Sequence, residues 1–76
     1  METNVYFGRI STYDKDDGTT QFYVDYMSSN GVTHRDKITQ AFYNRLRACN
    51  FQVNEVVIAN FDVDIFNRCV LVDIHS

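Results

Sequence analysis

An α+β domain is the fold class this chain predicts: a mostly antiparallel sheet of four to five strands with one helix packed on one face, in the order β-β-(β)-α-β-β. Three observations carry that prediction. Strand-like segments separated by turn residues fill the first half, one segment near residue 40 has helical periodicity, and two near-continuous apolar runs follow it. At 76 residues the whole chain, 1–76, is expected to be one domain, because so short a chain buries only about 60% of the surface its unfolded form exposes.

Residues 4–13 mix β-branched and aromatic side chains in loose alternation and read as a strand. Asp14-Lys15-Asp16-Asp17-Gly18 is turn chemistry and should reverse the chain into a second strand near Thr20–Met27. Asn30-Gly31 signals another hairpin, through a type I′ turn with positive φ at both central residues, leading to a weak, polar strand at Val32–Arg35. From Asp36 the period lengthens to about 3.6 residues, with Ile38, Ala41, Phe42, Leu46 and Cys49 on one side of a helical wheel. Asp36 or Thr39 suits the start of this helix, and Asn50 suits a left-handed residue beyond its end, with Phe51 folding onto the last turn. Arg45 falls inside the apolar stripe, so its stem should pack while its guanidinium pairs with a sheet carboxylate, Asp25 or Asp73.

Glu55–Phe61 and Arg68–Ile74 hold apolar runs of the kind expected in interior strands covered on both faces. The same elements could also curl into a small, partly open barrel with the helix plugging one end, as oligonucleotide-binding folds do.

Composition narrows the class. Hydrophobic residues at 45% and charged residues at 22% exclude a disordered tail. No apolar run approaches the ~20 residues of a membrane span, and the first residues do not form a secretion signal, so a cytoplasmic protein without a membrane partner is expected. The net charge of −3 is layered: residues 1–34 carry −3, residues 35–47 carry +3 through Arg35, Lys37, Arg45 and Arg47 against Asp36, and residues 48–76 carry −3. An acidic chain lacks the basic surface that releases counterions from duplex DNA, which counts against nucleic acid as the partner. It favours a basic partner instead, including a nucleic-acid-binding protein or complex.

No catalytic set is legible, and an enzyme is not expected. His34 and His75 lie in segments read as exposed, and neither has a nucleophile at a defined spacing. Cys49 and Cys69 fit no zinc or redox spacing and read as small buried hydrophobes. The run from Asp14 has its glycine at loop position five rather than the six of a calcium loop, and Asp62 and Asp64 lack a third ligand, so neither metal nor cofactor is expected.

One helix is about 10 Å wide and covers only one face of such a sheet. The other face would carry Tyr6, Ile10, Tyr23 and Met27, an apolar surface of the kind that marks an interaction site. The expected function is therefore a non-catalytic inhibitor or adaptor docking on a protein, or on a second copy as a homodimer. Tyr6, Tyr23 and Met27 would anchor it. Asp14, Asp16 and Asp17 at one turn and Asp62 and Asp64 at another would steer it, provided the two turns share one end of the sheet. Small size, excess Asp and no catalytic set are also the character of phage-encoded inhibitors of host nucleases, a similarity that covers no motif. The alternative is a single-stranded nucleic-acid-binding module using Tyr43, Arg35, Arg45 and Arg47.

Overall fold

Three chain reversals of one design build the sheet. The computed structural model describes residues 1–76. In it β1 spans Glu2–Asp14, β2 Thr20–Ser28, β3 Thr33–Ile38, α1 Gln40–Cys49, β4 Val56–Val63 and β5 Cys69–His75. The backbone N–H of Gly18 donates to Lys15 O, that of Gly31 to Ser28 O and that of Asn67 to Asp64 O, at 2.9–3.0 Å. Each of these three donors has positive φ, at 85°, 86° and 59°. This is the three-residue hairpin loop closed by a left-handed residue. It replaces the type I′ turn expected at Asn30-Gly31, since only Gly31 of that pair has positive φ.

The strands form one five-stranded antiparallel sheet in the order β3-β2-β1-β4-β5, with the helix between β3 and β4 in sequence. Its buried side holds Val5 and Phe7 of β1, Val24 and Tyr26 of β2, Val57 and Ala59 of β4 and Ile74 of β5, closed over by Phe42 and Leu46 of α1. No helix is long and apolar enough to cross a membrane.

Several local expectations are corrected. Strand β3 runs on through Ile38, which sits opposite Phe22 in the ladder, so Asp36–Ile38 extends a strand and Thr39 alone caps the helix, its hydroxyl accepting from Phe42 N–H at 3.1 Å. The helix rests on only two buried residues, which leaves Ala41 and Cys49 exposed. Asn50 does end it, at φ 53°, but Phe51 packs on the Phe7 ring at 5.4 Å between centroids. Strand β5 lies at the sheet edge, so Cys69, Val70 and Val72 are exposed, as are Val56 and Val63 of β4. Strands β2, β1 and β4 each have partners on both sides, and the central one is β1, where the alternation was loosest.

The sheet is curled rather than flat. Tyr26 of β2 and Phe61 of β4 lean together across the buried side, ring centroids 6.3 Å apart. A cleft of about 280 Å³ runs between Asp36 and Lys37 of β3 and Cys69, Val70 and Leu71 of β5, so the two end strands face one another without a joining ladder. The helix ties the two halves: Tyr43 packs on Phe22 of β2 at 5.0 Å, and Arg45 reaches Asp73 of β5 at 2.5 Å. Arg45 also lies over the Phe42 ring, the packed stem and paired head expected of it.

Candidate nucleic-acid interface

Gly8 decides what faces outward. In the β1–β2 ladder Phe7 opposes Tyr26 and Arg9 opposes Asp25, which leaves Gly8 unpaired in a bulge. A Cβ on Gly8 would stand 2.6 Å from the Asp25 carbonyl oxygen, so only glycine lets the strands approach this closely. The extra residue reverses the phase of β1. Ile10 therefore joins the buried side opposite Val24, correcting the expectation that it lies outside, and Arg9 takes the outward place.

Beyond the bulge the outward side of β1, β2 and β3 is a ladder of rows. Tyr13 opposes Gln21; Ser11 opposes Tyr23, which opposes Lys37; Arg9 opposes Asp25, which opposes Arg35; Tyr6 opposes Met27, which opposes Thr33. Tyr13 and Tyr23 are diagonal neighbours, a relation that spans roughly 7–8 Å. Tyr23 also donates its hydroxyl to Gln21 on the same strand. Two shallow depressions mark this face. One of about 540 Å³ is lined on this face by Tyr6, Asp25, Met27, Thr33 and Arg35 and reaches past Gly8 to Phe7, Tyr26 and His34, and one of about 470 Å³ is lined by Arg9, Ser11, Tyr13, Tyr23 and Arg35 among others, so they adjoin at Arg35.

The middle row is an ion-pair bridge. Arg35 donates Nε to Asp25 Oδ1 at 2.8 Å and Nη2 to Oδ2 at 3.0 Å, while Arg9 Nε approaches Oδ2 at 3.6 Å. These hydrogen bonds from Arg35 hold the Asp25 carboxyl below the ordinary aspartate range, against a smaller opposing push from burial. On the buried side, burial and the hydrogen bond to Asp36, at 2.6 Å, push the Tyr26 hydroxyl far above the ordinary tyrosine range.

Of the expected anchors, Tyr6, Tyr23 and Met27 share this face. The acidic turns do not meet. Asp14 closes the far end of β1 opposite Thr20, whereas β4 passes Glu2 at the near end before reaching Asp62 and Asp64. Their carboxylates also serve their own turns: Asp14 accepts from Thr20, Asp17 from the backbone and side chain of Thr19, Asp62 from Val63 N–H, and Asp64 from Phe66 and Arg68. Asp16 sits at the first of these turns. Of the alternative set, Arg35 alone is on the outward face. Tyr43 packs against Phe22 on the helix side, Arg45 is paired with Asp73, and Arg47 is exposed on the helix.

Arg9 and Tyr13 lie outside both expected sets, and Lys37, expected only as part of the basic segment, joins them on this face. Strict alternation would have revealed Lys37 and Tyr13 once the neighbouring registers were known, but nothing short of the bulge reveals Arg9.

The hydrogen bonds to Asp25, to Asp17 from the Thr19 side chain and to Asp64 from the Arg68 backbone N–H all lower those carboxyls. An unfolded aspartate binds its proton near pH 4. The stability these groups supply is therefore complete above about pH 4 and is lost as pH falls through their lower folded values, because the unfolded chain takes up protons first. Thermal melts from pH 7 to pH 2 should show Tm falling below about pH 4, with a shallower fall in Asp25→Asn. Superimposable profiles would contradict this account.

A curled five-stranded antiparallel sheet with one helix defines a small α+β domain, and its outward side carries tyrosines and cations. No family model matches the chain, and no curated protein or solved structure shows significant similarity to it.

Proposed function

We propose that the chain is a small, non-catalytic module that holds a single strand of nucleic acid across the outward side of β1, β2 and β3. The observation that carries this reading is the interleaving on one face of Tyr6, Tyr13 and Tyr23 with Arg9, Arg35 and Lys37. Bases stack on tyrosine whatever their sequence, and guanidinium and ammonium groups meet the phosphates between them. Tyr13 is 61% exposed and Tyr6 37%, so both side chains are accessible from solvent. Between Tyr6 and Tyr13 the face holds three cations against Asp25 alone, a local excess of positive charge on an acidic chain. The curl adds fold-level support, because partly open five-stranded barrels bind oligonucleotides on the face that includes strands two and three.

Fluorescence anisotropy with a labelled oligodeoxythymidine tests it. Binding should favour single strand over duplex and weaken with salt, with a log–log slope no steeper than about −2, since at most three cations contribute at about −0.7 each. Tyr23→Ala should lower affinity roughly 5- to 150-fold, the equivalent of ~1–3 kcal/mol of base stacking. Arg47→Ala, on the helix side, should leave it unchanged. Absence of single-strand binding at low salt would overturn the reading.

A second reading is favoured by a different row. Val56 of β4, Tyr6 and Met27 form an apolar stripe across three strands, and Val56 is 57% exposed. On that basis the same face would dock on a protein partner as an inhibitor or adaptor, or on a second copy. Failure of the oligonucleotide assay, together with co-purification of a protein partner that Tyr6→Ala abolishes, would favour it; sedimentation reports the dimer.

A further inference from the structure

We infer that Arg9 and Arg35 form a seat for a phosphodiester anion, and that Asp25 occupies this seat in the free protein as an internal competitor. The inference rests on the single-strand reading above and names the residue that limits affinity there. A carboxylate and a phosphate present the same pair of acceptor oxygens to an arginine fork. Asp25 presents both of its oxygens to Arg35, at 2.8 and 3.0 Å, while Arg9 stands beyond bonding distance at 3.6 Å. Arg35 alone is thus fully engaged.

The position of this row matters as much as its chemistry. Arg35 lines both depressions, Arg9 lines the one that holds Tyr13 and Tyr23, and Asp25 lines the one that holds Tyr6. A strand whose bases stack on Tyr23 and Tyr6 must pass its backbone over the Arg9–Asp25–Arg35 row, because that row separates Tyr23 from the row of Tyr6. The guanidiniums are also the more accessible members: Arg9 and Arg35 side chains are 70% and 56% exposed against 23% for Asp25. A phosphate arriving from solvent meets the arginines first and must displace the carboxylate to take the fork. Asp25 then does two things: it holds Arg35 extended over the sheet, and it sets the threshold an anion must exceed.

A cross-strand ion pair that only braces the sheet has the same distances, so the test separates the two roles. Oligodeoxythymidine affinity is measured across a salt series for wild type and Asp25→Asn. The variant should bind about 5- to 10-fold tighter at low salt, with a log–log slope steeper by roughly 0.7, one additional counterion released. Equal or weaker binding with an unchanged slope, accompanied by a lower Tm, would assign Asp25 to bracing and overturn the inference. Pyrophosphate provides a probe independent of the strand, read through the side-chain Nε signal of Arg35. If neither protein binds the oligonucleotide but pyrophosphate shifts this signal at lower concentration in the variant, the seat stands and the single-strand reading falls. If pyrophosphate moves the signal in neither, the seat falls. In wild type, saturating oligonucleotide should also move the Asp25 carboxyl carbon signal, a readout that needs no variant; an unmoved signal would show that the carboxylate is not displaced.

Discussion

Gly8→Ala is expected to lose about 1–3 kcal/mol of stability, the cost of forcing extra volume into a packed site. For a domain of this size that lowers Tm by roughly 5–20 °C. The added Cβ would lie 2.6 Å from the carbonyl oxygen of Asp25, and a backbone atom of the neighbouring strand has no rotamer with which to escape. Relief requires β1 and β2 to separate where the bulge now lets them touch. That movement carries Arg9 of β1 away from Arg35 of β3 and splits the row they share, so the variant should also bind single strands more weakly. Thermal melts and anisotropy on the same preparation check both parts. A Tm within a degree or two of wild type would show that the bulge tolerates a side chain and that glycine is not needed there.

Leu46→Ala should cost more, about 2–5 kcal/mol, through lost burial and the cavity left behind. The total stability of a 76-residue domain is on the order of 4–11 kcal/mol at ~0.05–0.15 kcal/mol per residue, so the loss is a large fraction of the whole. Leu46 is 1% exposed and is, with Phe42, one of the helix's two buried residues. Arg45–Asp73 cannot replace it, because an exposed ion pair contributes little. Urea unfolding followed by far-ultraviolet circular dichroism measures the change as a lower midpoint at unchanged slope. A loss under about 1 kcal/mol would mean that the sheet's own core, and not the helix, sets the stability.

These two positions also show where sequence reading succeeds and where it stops. Leu46 and Phe42 were legible as core because a 3.6-residue period is local and survives without knowledge of any partner. The hairpin at Asp14–Gly18 was legible for the same reason: its hydrogen bonds close within five residues. Ile38 was misplaced in the helix because its apolar side chain fits either period, and only its pairing with Phe22 assigns it to a strand. Of the two late apolar runs expected as interior strands covered on both faces, β4 is interior and β5 is an edge strand, and neither is covered on both faces. Their neighbours in the sheet, not their composition, leave Val56, Val70 and Val72 exposed.

The candidate site divides in the same way. Tyr6, Tyr23 and Met27 stayed on one face because Tyr6 precedes the bulge and β2 alternates without interruption. Arg9 and Ile10 exchanged sides because they follow it. The acidic turns, grouped by residue type, were separated by the run of β4 against β1.

Local chemistry alone thus determined the kind and chain order of the elements, the reversal at Asp14–Gly18, the single helix and a second face bearing Tyr6, Tyr23 and Met27. Short-range hydrogen bonds and side-chain periodicity need no distant partner. Only the tertiary structure decided the sheet order, the curl that brings β3 towards β5, and the reversal at Gly8 that sets Arg9 beside Asp25 and Arg35. Each of those depends on which strand lies alongside, and one unpaired residue in a ladder inverts every side chain beyond it.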